Sequence, residues 1–309
     1  MKRFVFSTLL LLASVPCLFA QGTDALPFIR IDRNPVTSAM AGAGSASDGA
    51  AAYAAFSNAS ILPLAGGRGD AAVSYQSWMP SALSKSTNFQ GGASFKVAPR
   101  VAVALGYAHQ LGTAYEAFDN TGLSTGTFTP KDHLAALGVG IGLGERLAVG
   151  VNARYALQQV AEDERLSGIS GDVFLAFQAR ENLRVTAGIA ALGTQVQSKI
   201  GRKFDQPGSF KAAADWTLRF AETHTLDLMA DADYFFNEAL TLSAGLQYAW
   251  NDIVFLRGGY RLASKECVIP SHAGVGAGIK FAGFHVDASY LIASSVLGNT
   301  FSVGLGYSF

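Results

Sequence analysis

The sequence predicts an all-β fold, a transmembrane antiparallel β-barrel of about 14 strands with an N-terminal plug-like segment. Three observations support this class. Apolar residues alternate with small or polar residues over segments of about ten residues, the usual length of strands that cross an outer membrane. Only 15% of the 309 residues are charged, compared with about 25% in ordinary soluble domains. The links between the periodic segments also alternate between short and long.

The first 20 residues have the pattern of a secretory signal peptide. Lys2 and Arg3 precede an apolar run at 4–12, and a small residue, Ala20, marks the expected cleavage position. The run is shorter than the roughly 20 apolar residues that a helical span needs, and no later run is long enough. Removal of this segment with Cys17 leaves Cys267 as the one remaining cysteine, so no internal disulfide is possible.

The charge balance excludes one class of partner. The 23 Lys and Arg residues equal the 23 Asp and Glu residues. Loss of Lys2 and Arg3 with the signal peptide changes the balance to 21 minus 23, or −2. Because there is no basic excess to neutralise phosphates, no nucleic-acid partner is expected.

Residues 21–69 lack a clean two-residue period and are rich in Ala, Gly and Ser. Small residues let backbones pack closely, so we expect a short helix and turns lodged in or under the barrel. The predicted domains are therefore a signal peptide at 1–20, a periplasmic or plug segment at 21–69 and a transmembrane barrel at 70–309.

Period-2 patterning defines the barrel strands. At the C-terminus, for example, Phe301, Val303 and Leu305 alternate with Ser302 and Gly304. Such strands are expected to start near residues 71, 88, 100, 132, 146, 170, 182, 208, 224, 239, 252, 272, 284 and 300. An even number of strands returns both ends of the barrel to the periplasmic side. Tyrosines in the apolar phase lie near strand ends, as in the aromatic girdles that anchor barrels in lipid.

Connection lengths give an independent test of the strand count, because outer-membrane barrels have short periplasmic turns and longer external loops. Longer links fall at 112–129, 160–167, 194–206, 263–270 and 294–299, all odd-numbered connections. Short links occupy the even positions. The exception is the short odd-numbered link at 237–238, which would fit a barrel that differs by two strands.

The second set of residues in each strand is expected to face the barrel interior. It holds most of the ionisable strand residues, and charges facing lipid would cost about 2–4 kcal/mol for Arg or Lys at the midplane. Because both signs occur, the set is interpreted as a lumenal salt-bridge and hydrogen-bond network, with a polar conduction path as the alternative. The predicted network contains Arg154, Asp172, Arg184, Asp215, Arg219, Asp227, Asp231, Arg257, Arg261 and Asp287.

The N-terminal segment carries a recognisable motif. The stretch from Arg33 to Gly44, with Met40 and Gly42, is followed by Asp48 with its alanines and by Asn58 within Phe-Ser-Asn-Ala. In these residues the chain resembles the PorV/PorQ family of outer-membrane proteins, which is similar in fold to the FadL long-chain fatty-acid transporters. Family members usually have Trp-Asn-Pro-Ala where this chain has Phe-Ser-Asn-Ala, which is a departure.

The resemblance implies a 14-strand FadL-like barrel whose N-terminal segment is a plug. It also implies an accessory role in type IX secretion or surface assembly, with secretion-system proteins and their cargo as partners bound through external loops. The alternative is a FadL-like passive transporter of hydrophobic small molecules, in which the segment at 21–69 is a movable gate. The expected location is the outer membrane of a Gram-negative bacterium, with membrane lipid as a partner.

Catalytic motifs are weak. The five histidines show no metal-ligand spacing, and neither a Gly-x-Ser-x-Gly elbow nor a phosphate-binding loop is present. His285 and Asp287 share a strand face, and a serine could complete an acyl-transfer set. We expect no enzymatic activity, no metal and no cofactor. The glycines at 138, 140, 142 and 144 recur at period 2, and we expect them to make room for the N-terminal segment.

Overall fold

The computed structural model of the chain describes residues 24–79, 85–118, 121–162, 164–199, 201–293 and 298–309. The predicted signal peptide, Cys17 and the cleavage position near Ala20 lie outside these residues, as does most of the predicted link at 294–299. No helix within the described ranges is long and apolar enough to cross a membrane.

Fourteen long strands close into one antiparallel barrel, in which the first strand pairs with the last. The strands of the described residues are β1 (Gly69–Trp78), β2 (Ser86–Ala98), β3 (Val101–Leu111), β4 (Tyr115–Phe118), β5 (Ser124–Phe128), β6 (Lys131–Gly142), β7 (Leu147–Ala161), β8 (Glu164–Arg180), β9 (Leu183–Gly193), β10 (Val196–Gln197), β11 (Lys203–Phe204), β12 (Ser209–Ala221), β13 (His224–Phe235), β14 (Leu240–Trp250), β15 (Val254–Ala263), β16 (His272–Phe281), β17 (Phe284–Ile292) and β18 (Thr300–Ser308). β4 with β5, and β10 with β11, form two small hairpins outside the barrel sheet. The predicted barrel of 14 strands is confirmed.

The two ends of the barrel differ. Short turns at 99–100, 143–146, 181–182, 222–223, 251–253 and 282–283 gather at one end, here called the short-turn end. Longer connections, including both small hairpins, gather at the other, here called the loop end. The link at 236–239 belongs to the loop end although it is short, and the barrel has 14 strands.

Sequence alternation appears in the structure as two faces. In β18, Phe301, Val303 and Leu305 are exposed on the outer surface, while Ser302 is 2% exposed and faces the interior. The register continues around the closure, where Val73 pairs with Leu305 and Ser74 with Gly304. The outer surface is therefore apolar, as a lipid-facing surface must be.

One expected loop is wrong. The sequence predicts a longer external loop at 160–167, but β7 continues to Ala161, β8 begins at Glu164, and these two residues pair with each other. The segment is polar because strands that project beyond a bilayer need no apolar outer face. Backbone pairing such as Gln159 with Arg165 holds it in sheet form.

Residues 24–68, here called the plug, fill the barrel interior. Ala25 N–H donates to the carbonyl of Asp205 at 2.8 Å near the loop end, and Arg68 N–H donates to the carbonyl of Phe309 at 3.0 Å at the short-turn end. The plug therefore runs through the lumen from one end to the other. It contains one short helix, α1 (Pro35–Ala39), and 3₁₀ turns at Pro27–Arg30, Asp48–Phe56 and Ala59–Ile61.

Asparagine side chains start two of these turns. Asn34 Oδ1 accepts from Val36 N–H at 3.0 Å at the start of α1, where Pro35 occupies the first helical position. Asn58 Oδ1 accepts from Ser60 N–H at 3.0 Å in the same way. Because these turns are too short to be stable alone, their packing against the wall holds them.

Candidate functional site

Glycines on the wall let the plug backbone come close. A side chain at Gly140 or Gly150 would collide with the plug backbone at Ala59 and Ser60, and one at Gly138 would lie 3.0 Å from the Ala59 Cβ. On the opposite wall, Gly259 and the Met40 carbonyl are in the same relation. The wall glycines therefore form the surface on which the plug packs.

Among the motif residues of the plug, Arg33, Met40, Gly44 and Asn58 are buried, Gly42 is half-buried and Asp48 is exposed. Met40 is fully buried against Gly245 and Met229. Gly42 and Gly44 have φ of +87° and +108°, a conformation that glycine adopts without strain. These two glycines turn the chain after α1 and direct the N–H of Gly44 toward the wall.

Asp231 receives that turn. Its Oδ1 accepts from Gly44 N–H at 2.7 Å and from Ser45 N–H at 3.4 Å, and its Oδ2 accepts from the Ser45 hydroxyl. Lys211 Nζ lies 3.4 Å from a carboxylate oxygen of Asp231 and of Asp233. This carboxylate is 187 residues from Gly44 in the chain and fixes the middle of the plug.

Arg184 holds the lower part of the plug, toward the short-turn end. Its Nη1 lies 2.5 Å from Asp48 Oδ1 and 3.2 Å from the Ala46 carbonyl. Its Nη2 donates to the Leu64 carbonyl at 3.4 Å. One guanidinium thus joins two separate turns of the plug.

Arg33 acts within the plug itself. Its guanidinium donates to the carbonyls of Phe28 and Ile31, both at 2.8 Å, and lies over the Phe56 ring at 5.7 Å. These carbonyls belong to the turn at the loop end, so Arg33 closes the first turn of the plug onto its middle.

Amide and hydroxyl side chains of the wall complete the attachment. Each donates to a carbonyl oxygen of the plug backbone, so the contact depends on the main chain and not on plug side chains. The donors and acceptors are Gln76 with Asp32, Ser74 with Arg33, Gln90 with Arg33, Asn152 with Ala54, and Ser243 with Ala41. Sequence reasoning missed these residues because it searched the inner phase for ionisable groups; inward Ser, Asn and Gln positions are the signal that identifies them.

A polar belt crosses the wall nearer the short-turn end. Arg257 Nη1 lies 2.6 Å from Asp287 Oδ1, and its Nε donates to Gln247 Oε1 at 2.6 Å. Gln247 in turn donates to Asp227 at 2.9 Å. His285 completes the belt, with Nδ1 2.8 Å from Asp287 and Nε2 3.2 Å from Asp70.

This geometry bears on the acyl-transfer possibility raised by His285 and Asp287. Both ring nitrogens of His285 face carboxylates, so neither is placed to take a proton from a serine hydroxyl. Within the described ranges there is also no group of three or more His, Cys, Asp or Glu side chains that could hold a metal ion.

The remaining predicted network residues fall at different places. Arg154 and Asp172 form a buried ion pair, and Arg154 also donates to the Phe56 carbonyl of the plug. Arg261 donates to Ser243 at 3.1 Å beside Gly42. Asp215 is partly buried in the half of the lumen nearer the short-turn end, whereas Arg219 is exposed near the end of β12. The structure therefore separates the predicted set into plug anchors, a wall belt and an exposed residue.

A cavity of about 170 Å³ lies between the plug and the half of the wall nearer the loop end. Ile29, Ile31 and Phe56 of the plug face Phe174 and Phe235 of the wall across it. Residues 267–269 of the connection at 264–271 also line it, so the cavity is adjacent to the loop end. The lining is mixed, because seven charged side chains also border the cavity: Arg30, Asp32, Arg33, Arg154, Lys211, Asp233 and Arg261.

Charged side chains at the cavity are mostly paired. Arg30 forms an ion pair with Asp24 at the loop end and lies over the Phe235 ring at 4.0 Å. Burial raises the pKa of the Asp24 carboxyl above its usual range, while the Arg30 guanidinium opposes that rise. Paired charges and apolar side chains therefore share the cavity wall.

The closed 14-strand barrel with a lumenal plug has the fold of FadL-like outer-membrane barrels. The chain is similar to the toluene transporter TodX of Pseudomonas putida, at 12% identity over 90% of this chain and 99% of that one, with a TM-score of 0.63. The monoaromatic hydrocarbon channel CymD gives 12% identity over 89% and 97%, with a TM-score of 0.61. A FadL homologue of Pseudomonas aeruginosa gives 11% identity over 89% and 98%, with a TM-score of 0.51.

No family model matches the sequence, and no curated protein matches it. The PorV/PorQ resemblance therefore stays a prediction. The similarity to solved structures concerns the fold.

Proposed function

We propose that this protein is a passive channel for small hydrophobic molecules in the bacterial outer membrane, with lipid around the barrel and the loop end outside the cell. The proposal adopts the transporter alternative of the sequence analysis. The observation that carries it is the cavity between plug and wall beside the loop end, where Ile29, Ile31, Phe56, Phe174 and Phe235 supply apolar and aromatic surface. The fold neighbours named for toluene and monoaromatic hydrocarbon transport support the same choice.

The cavity can be tested by filling it. Ala190 lines the cavity from β9, so Ala190→Trp would occupy the space. We expect proteoliposomes carrying the variant to take up radiolabelled toluene at no more than about a tenth of the normal rate, since a 170 Å³ cavity has little room beside an indole. Ala187→Trp is the matched control, because Ala187 lies on the same strand and is exposed on the outer face.

Two results would contradict the channel proposal. The first is toluene uptake no faster than in protein-free liposomes. The second is an equal effect of both tryptophan variants, which would assign the loss to the barrel fold and not to the cavity. Heat-dependent gel mobility of each variant confirms a closed barrel before the uptake measurement.

The secretion hypothesis is a separate prediction with its own test. It rests on the motif from Arg33 to Asn58, and a secretion factor would bind partners through the external loops, including the hairpin of β4 and β5. Native pull-down followed by mass spectrometry should recover secretion components or sorting-domain cargo. Recovery of neither would reject this hypothesis and leave the channel proposal unaffected.

A further inference from the structure

Three polar side chains lie in register on the inner wall at the loop-end half. Asn88 on β2 pairs with Gln110 on β3, and Gln110 pairs with Asp132 on β6. All three belong to the inward phase of their strands, and Asn88 and Asp132 are only 4% and 7% exposed. None of them lines the cavity described above.

Hydrogen-bond direction fixes how the Asn88 amide is turned. The plug carbonyl of Asp32 needs a donor and receives one from Gln76 Nε2 at 3.1 Å. The Oε1 of Gln76 then accepts from Asn88 Nδ2 at 2.9 Å. Because Asn88 Nδ2 donates to Gln76, Asn88 Oδ1 remains as an acceptor on the inner wall.

All three of these inner-wall side chains carry an acceptor oxygen without a partner. Asn88 Oδ1, Gln110 Oε1 and Asp132 Oδ1 are each buried with no hydrogen-bond partner among the described residues. Acceptors cannot satisfy one another, and burying them without a donor is unfavourable. Gln158 on β7 donates to the Asp132 carboxylate, which leaves Oδ1 unpartnered, and the nearby guanidinium of Arg33 donates to plug carbonyls.

Oxygen donors of this kind suit a hard cation. Calcium binds carboxylate and amide oxygens, and it prefers them to nitrogen or sulfur. We infer that Asn88, Gln110 and Asp132 form a binding site for a divalent cation of the calcium type, completed by water. With a single carboxylate the site is weak, in the range of about 10⁻⁴–10⁻³ M that extracellular calcium modules use.

Terbium luminescence provides a direct test, because terbium occupies calcium sites and is sensitised by tryptophan. Trp78 is 7% exposed and pairs with Ser86, two residues from Asn88 on β2. Full-length protein in detergent should give saturable terbium emission on tryptophan excitation, and calcium should displace it. Trp78→Phe should remove the emission while calcium binding measured by calorimetry persists.

Two substitutions change the charge of the site in opposite directions. Asp132→Asn should weaken calcium binding at least about tenfold, and Gln110→Glu should strengthen it by a similar factor, because carboxylate count sets affinity. Asp215→Asn is the matched control: this carboxylate is also inward and has an unpartnered Oδ1, but it lies on β12. It should leave calcium affinity unchanged.

The outcomes separate cleanly. No saturable calcium binding in the unmodified protein would overturn the inference and assign these acceptors to water alone. Equal affinity in the unmodified protein and the Asp132→Asn variant would also overturn it. The Gln110→Glu variant protects the test against misfolding, because a gain in affinity requires a folded barrel.

Discussion

Replacing Asp231 by Asn should loosen the middle of the plug without opening the barrel wall. The carboxylate accepts from two plug N–H groups and from the Ser45 hydroxyl. Hydrogen bonds to a charged group contribute about 1.5–3 kcal/mol each. The amide keeps one neutral acceptor for Gly44 but cannot accept from the hydroxyl through its NH₂, so we expect a loss of about 3 kcal/mol.

Such a loss raises the population of the released plug by about 100-fold, since each 1.4 kcal/mol is a factor of ten. Hydrogen exchange measured by mass spectrometry on a peptide covering residues 40–48 should accelerate by that factor, while barrel peptides keep their protection. Asp227→Asn is the control, because Asp227 lies inward on the same strand and, among the described residues, hydrogen-bonds to the wall residues Thr217 and Gln247. Unchanged exchange at 40–48 in the Asp231→Asn protein would refute the anchoring role.

Three further predictions concern the rest of the barrel. Gly150→Val should prevent the plug from docking, because its Cβ collides with the plug backbone, and limited proteolysis should then cut the plug. Gly258→Val is the control: its Cβ would lie 3.8 Å from the Gly274 carbonyl, an ordinary contact, and the plug should stay protected. Arg257→Met should destabilise the barrel by about 3–5 kcal/mol, as removal of one partner leaves the buried Asp287 carboxylate without its guanidinium, and urea unfolding in detergent would show no change if the pair were unimportant. Protease added to intact cells should cut within 112–129 and spare the short-turn end; the reverse pattern would invert the topology.

Much of the barrel could be predicted from the sequence because lipid imposes a simple rule on each strand. An outward residue must be apolar, so the period-2 pattern reports both strand and face, as at Phe301 and Ser302. Beyond the bilayer an outward residue no longer has to be apolar. The extension of β7 to Ala161 and of β8 from Glu164 was therefore missed, since the polar residues there resemble a loop.

The plug contacts could not be predicted in the same way. Gly44 and Asp231 are joined across 187 residues, and nothing in the local pattern of either indicates the other. The inward position of Asp231 follows from periodicity, but its partner depends on how the plug is threaded through the lumen. The amide donors, such as Asn152, were missed because nothing in the sequence pattern distinguishes an uncharged inward residue that binds the plug from one that does not.

The way in which wall side chains bind the plug determines which plug residues can be substituted. Wall side chains such as Asn152 and Ser243 bind carbonyl oxygens of the plug, an atom that every amino acid carries. Substitutions at Ile29 or Ile31 would therefore alter the surface of the cavity while the attachments to the wall persist. The side chains that line the cavity can therefore vary while the wall residues that bind the plug stay the same.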